Sequence, residues 1–378
     1  MIFKKKLIGG ILALFFLAFL ISILEVPIWQ LGRSLKKPSR PVPTNTLHHL
    51  EFFSKEILID RLYPPDEGPV EGGQMSLLPG QEPELVWIRG FSVTPVSPDG
   101  KVELSNEFLY YSNLDFVDFV SHRQFLGGNP IGTYRLFALS QGQNRVEFPS
   151  GFGIPIMSNE LLQWNVIAMN LNLSNRSLNL KFKLTIDYFL DQDVSTPLKP
   201  LFVVNAVVAK LLYGRDGYFG VEKPGELIRE AESSRGVHAL EGERYILSDG
   251  KERKFSLYWI VKPGREVDHT LATRFLNLPF DTTFHYANAH LYPYAESLEL
   301  KDLSTHQFVF KGKASQVEKG IGLAHVDELS SMEGIPIFKD HEYDLISIYR
   351  NPTLKDQKAM ATLFLYLLDK EFKRPTNQ

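Results

Sequence analysis

Cysteine is absent from all 378 residues. That removes disulfides, thiolate zinc centres and iron–sulfur clusters together. It also leaves a lipoprotein anchor without its attachment residue. The catalytic signatures HExxH, GxSxG, the P-loop and the dinucleotide glycine pattern are missing as well. No internal repeat recurs at a solenoid period. Basic residues are outnumbered by acidic ones beyond the N-terminus. Seven basic residues against Glu25 make residues 1–45 net +6, so from a total of −3 the remainder carries about −9. A nucleic-acid groove needs clustered basic residues, so nucleic acid is not an expected partner.

Aromatics are plentiful instead, with 27 Phe and 15 Tyr. Lys4, Lys5 and Lys6 precede an uncharged run from Leu7 to Leu24. That run is long enough to span a bilayer, and it leads into Glu25-Val26-Pro27 without a small-residue cleavage site. The expectation is an uncleaved signal anchor over 1–30 in a bacterial inner membrane, with a periplasmic or otherwise extracytoplasmic body. Residues 31–45 then read as a Pro-rich basic linker lying against anionic headgroups.

From Leu47 onward, short alternating runs are separated by turn residues. ELVWIRGFSVTPV (84–96) ends at Ser97-Pro98-Asp99-Gly100, and SLNLKFKLTIDYFL (177–190) places Leu178, Leu180, Phe182, Leu184 and Ile186 on one face. This patterning predicts an all-β protein, with one β-sandwich over 46–195 and a second over 254–372. Between them, 196–253 breaks the rhythm and reads as a connector or insertion.

Ten histidines are present. His290 stands out because Tyr292 shares its strand face in HYANAHLYPYAESLEL. His285 has the opposite parity and joins His290 only across a bend or bulge. Met360, in KAMATLFLYLLD, reads from spacing alone as a core methionine. In FKDHEYDLISIY, the alternating Asp340, Glu342 and Asp344 read as a solvated acidic face. Nothing marks the nucleophile of a triad.

Several blocks, in order, resemble the copper type II, ascorbate-dependent monooxygenases, the family of peptidylglycine α-hydroxylating monooxygenase. They are RLFALSQGQNRVEFPSGFGIPI (135–156), HLYPYAESLEL and AMATLFLY. EFLYYSNLDF, FPSGFGIPI, AESLEL and KDHEYDLISIY are more similar to uncharacterised relatives of that fold, the stress-up-regulated nodulin-like proteins. The resemblance implies two antiparallel jelly-roll-type sandwiches, each presenting one copper to a solvent cleft. It makes His290 and Met360 ligands of the second-domain copper. Tyr292 stands where the family has another histidine, and either it or His285 completes the set. In the first domain, Tyr110 and Tyr111 replace the adjacent histidine pair and Asn170 the third histidine, so that site reads as degenerate. His48-His49 falls too early to substitute for them.

Three functions follow as expectations. The first is a membrane-anchored, non-catalytic binding or accessory module. The second is a mononuclear copper redox protein or monooxygenase using His290 and Met360. The third is a β-sandwich binding a glycan or protein partner through an aromatic platform of Tyr110, Tyr111, Tyr292 and Tyr294.

Overall fold

Alternation of apolar and polar residues makes a sheet wherever one face is buried and the other is wet. The strand Leu178–Leu190 follows this rule: Leu180, Phe182, Leu184 and Ile186 are fully buried, while Lys181, Lys183 and Thr185 between them stay partly exposed. The computed structural model describes residues 45–128, 132–174, 177–213, 217–221, 246–248 and 253–375. The expected anchor and all of the linker but Asn45 lie outside them. Among the described residues no helix is long and apolar enough to cross a membrane. The protein is mostly β, as its alternation predicts, with strands in several sheets and β-sandwich character.

The largest sheet runs through both halves of the chain. Its main path, in spatial order, is 48–53, 178–190, 85–96, 152–157, 199–207, 361–368, 282–291 and 329–337. Segment 196–253, expected to connect the halves, contributes the strand at which they join. Lys199–Val207 pairs in parallel with Phe152–Met157 only through Lys199↔Phe152 and Pro200↔Gly153. It then runs antiparallel to Ala361–Leu368, from Leu201↔Leu368 to Val207↔Thr362.

Three strands near this joint are apolar on both faces because both faces are covered. In Ala361–Leu368, Phe364 and Tyr366 enter one core while Leu363, Leu365 and Leu367 enter another. Leu201 and Val203 likewise face away from Phe202, Val204 and Ala206. In Thr282–Leu291, Tyr286 enters the first core, and Phe284, Ala287 and Ala289 enter the second. A four-stranded sheet (70–75, 162–168, 109–116, 135–140) covers the first face. A five-stranded sheet (264–271, 343–351, 295–302, 307–316, 323–326) covers the second. A strand wet on one side would alternate; ATLFLYLL does not, because neither of its sides is wet. Residues even in number on Thr282–Leu291 beyond its bulge therefore look toward the four-stranded sheet, and Asn288 donates from Nδ2 to the Ala138 carbonyl at 2.8 Å.

The acidic alternation at 340–344 is not uniformly solvated. Asp340 and Glu342 are exposed, but Asp344 is buried and its Oδ2 lies 2.8 Å from His269 Nδ1.

Candidate functional site

Bulges decide which of the expected residues meet. Leu109–Phe116 pairs with Leu162–Ala168 as Leu109↔Ala168 and then Tyr111↔Ile167, so Tyr110 is an extra residue. Neighbours on a regular strand point to opposite faces; the extra residue lets Tyr110 and Tyr111 both reach His290. Tyr111 stacks on the imidazole at 4.7 Å between centroids, and Tyr110 meets it edge-on at 5.5 Å. The rows expected to face each other across a solvent cleft are thus in ring contact.

A second bulge falls between Phe284 and Tyr286, with His285 as the extra residue. It does not carry His285 to His290. The His285 ring stacks on Phe152 at 4.0 Å, its Nδ1 lies 2.9 Å from the Ser331 carbonyl, and its Nε2 lies 2.8 Å from Thr283 Oγ1. One nitrogen donates and the other accepts, so both are occupied. Burial lowers its pKa.

Sequence reasoning missed Asp66, the hub of the site. Its Oδ1 accepts from Tyr110 Oη at 2.7 Å and, more distantly, from Tyr258 Oη at 3.4 Å. Its Oδ2 accepts from Tyr292 Oη and from Lys358 Nζ, the latter at 3.1 Å. The Tyr110 and Tyr292 hydroxyls also lie 2.7 Å from each other. Burial, reinforced by nearby charge including Asp66, pushes both phenols far up. They are neutral donors, and Tyr292 is not a phenolate. Asp66 lies in Tyr63-Pro64-Pro65-Asp66-Glu67-Gly68, with the left-handed φ of 68° that aspartate tolerates. Such a segment reads as a plain turn, and no spacing rule ties it to Tyr292.

Asn170 fastens the base of that loop instead of lining a site. Its Nδ2 donates to the Arg61 and Leu173 carbonyls, both at 2.7 Å, and its Oδ1 accepts from Leu173 N at 2.9 Å. Of the expected platform, Tyr110 and Tyr292 are buried with their hydroxyls turned to Asp66. Tyr294 sits in the turn after Leu291 with φ 71°. His48 and His49 lie on an outer strand, each against its own carboxylate, Asp193 and Asp187.

A cavity of about 460 Å³ opens where the four-stranded sheet meets the large one. Asp66, Tyr111, Tyr134, Arg135, His290 and Met360 line it. Its charges are compensated from within the protein. Arg135 grips Asp115 with a two-pronged contact, Nε to Oδ1 at 2.8 Å and Nη2 to Oδ2 at 3.2 Å, and its Nη1 donates to Tyr111 Oη. Burial lowers Arg135 to about 10, which leaves it positive at neutral pH. Burial likewise raises Asp115 to about 7, opposed by the hydrogen bond that Asn113 Nδ2 donates to its Oδ2 at 2.6 Å. Asp66 is answered by Lys358.

His290 is neutral. Burial drives its pKa down to about 4, with Asp66 opposing and Arg135 reinforcing the shift. Its Nε2 is buried with no hydrogen-bond partner among the described residues. Met360 immediately precedes the strand Ala361–Leu368, and its sulfur lies 3.9 Å from Thr362 Oγ1.

These positions do not assemble the copper donor set. His290 offers one orphaned nitrogen and Met360 one thioether in the same cavity, but His285 is engaged elsewhere and Tyr292 holds its proton. A soft copper site built on this chain would have two protein donors where three are needed. Among the described residues, no group of three or more His, Asp or Glu could hold a metal ion.

No family model matches the chain, and no curated protein matches it. Among solved structures, it is similar to a peptide-N(4)-(N-acetyl-β-D-glucosaminyl) asparagine amidase at 11% identity. That match covers 88% of this chain and 99% of the other with a TM-score of 0.33, a level that supports no functional argument.

Proposed function

We propose that this protein is a non-catalytic binding module that takes a neutral, ring-bearing polar ligand of the sugar class between its sheets. The observation that carries this reading is the convergence of Tyr110, Tyr111, His290 and Met360 on one cavity with internally balanced charge. Arg135 and Asp66 already have their counterions, so an ionic ligand would gain little there and would lose hydration. What remains for a ligand is neutral: the half-buried Tyr111 ring, the exposed Tyr134 ring beside Arg135, the hydroxyl of Thr362 and the imidazole edge. Sugar C–H faces stack on such rings while their hydroxyls complete buried polar groups. An orphaned imidazole nitrogen costs about 1–3 kcal/mol, which a ligand hydroxyl offsets.

A binding role also suits the carboxylates. Asp66 accepts from several donors, and Asp115, forked by Arg135, is not among the residues that line the cavity. We further read the body as a pair of jelly-roll-type sandwiches descended from the copper monooxygenase-like fold. The run Leu7–Leu24 would hold it at the outer face of a bacterial inner membrane.

A thermal-shift screen of the detergent-solubilised full chain tests the reading. Neutral mono- and oligosaccharides should raise the melting temperature, whereas acidic and basic sugars of equal size should raise it less. Stabilisation by charged sugars alone would overturn it.

A further inference from the structure

Outside the lining of that cavity, Lys210 begins the strand Lys210–Tyr213, while Glu266 and Asp268 lie two apart, on one face of Gly264–Leu271. The Lys210 ammonium is 2.5 Å from Asp268 Oδ1 and also donates to Glu266 Oε1. Lys210 and Asp268 side chains are 3% and 2% exposed, against 19% for Glu266. The lysine is held in place from behind, because the neighbouring Ala209 N–H donates to Thr270 Oγ1 at 2.9 Å. One ammonium can neutralise only one of the two carboxylates, so the cluster is electrically balanced when the other carries a proton. Asp268 is the deeper of the two. Its Oδ2 is buried and has no partner among the described residues, and Ser347, directly across the strand pair, has an unpartnered Oγ. Two buried, unpartnered polar atoms beside an ion triad call for an explanation.

We propose that Lys210 and Asp268 are the sites of an intramolecular isopeptide bond, with Glu266 as the proton-transfer residue. Glu266 takes a proton from the Lys210 ammonium, and the freed Nζ attacks Cγ of the protonated Asp268 carboxyl. The tetrahedral adduct expels one carboxyl oxygen as water, with Glu266 relaying the protons. An N–C bond forms and a C–O bond breaks, one water leaves, and no oxidant or activating group is needed. Burial, with Glu266 adding to it, raises Asp268 to about 6 against the pull of Lys210, which favours the protonated acid the step requires. Burial also works against the Lys210 charge, although the two carboxylates outweigh it; Glu266 is therefore needed as the base. Fixed contact between amine and carboxyl supplies the proximity that drives such condensations without a cofactor. The bond would join two sheets that no disulfide can join, in a chain without cysteine.

Intact mass spectrometry of the denatured full chain, followed by peptide mapping, decides the matter. The wild type should be lighter than its sequence by one water, and a digest should contain a branched peptide joining Lys210 to Asp268. Lys210→Arg and Asp268→Ala should each restore the full sequence mass, and Glu266→Gln should leave most of the chain unlinked. If those variants do not fold, the wild-type digest still gives the answer. A wild-type chain of full sequence mass, or a water loss mapping elsewhere, overturns the proposal.

Discussion

Replacing His290 with glutamine changes one buried neutral imidazole into a side chain that does not titrate. In the unfolded chain this histidine protonates near pH 6.5, whereas in the fold burial holds it at about 4. Between those values the unfolded chain binds a proton that the folded protein refuses. Stability from this group is therefore complete above pH 6.5 and drains away as the pH falls toward 4. At about 1.4 kcal/mol per pH unit, the loss amounts to about 3 kcal/mol across the window. Urea unfolding of the full chain, followed by tyrosine and tryptophan fluorescence, should show the wild type losing that much more than His290→Gln between pH 7 and pH 4. Carboxylates titrate in both proteins and cancel in the difference. Parallel stability curves for the two proteins would show that His290 is already protonated or solvated in the fold, and the reading of the cavity floor would be wrong.

Asp66→Ala strips the acceptor from two buried phenols and from Lys358, and should lower stability by about 3 kcal/mol in urea unfolding at pH 7. Gly68→Ala acts on the same loop from the main chain: a Cβ there would lie 1.8 Å from the Ala168 carbonyl oxygen. Its cost should exceed about 2 kcal/mol, and sugar-induced stabilisation should be lost with it as the Asp66 segment is displaced. Copper loading followed by dialysis and elemental analysis should leave well under one equivalent per chain, with His290→Ala no different from wild type.

Much of the fold was legible because burial writes alternation into strands such as Leu178–Leu190. The unbroken apolar run at 361–368 was legible as buried, but not as the wall between two cores, since that depends on which sheets cover it. The site was half legible. Tyr110, Tyr111, His290 and Met360 were all singled out, but the tyrosines as replacements at one degenerate copper site and His290 and Met360 as ligands of another. Their convergence depends on a bulge at Tyr110, and one extra residue in a strand leaves no mark in residue type. Asp66 was invisible for another reason: its partners Tyr110, Tyr258, Tyr292 and Lys358 are distant in sequence, and a turn aspartate has an ordinary local explanation. Tyr292 was weighed as a metal ligand because it stands where the resembled family has a histidine; in the fold its hydroxyl donates to Asp66 instead.

Titration calorimetry of neutral sugars against the full chain and its Tyr134→Ala variant tests the binding reading most directly. Tyr134 is 56% exposed at the rim of the cavity, so its loss should leave the fold intact. At least one neutral sugar should bind the wild type at one site per chain, and the variant should bind it about tenfold more weakly, the equivalent of about 1.4 kcal/mol of lost ring contact. Absence of binding across the neutral panel, or equal affinity for both proteins, would contradict it.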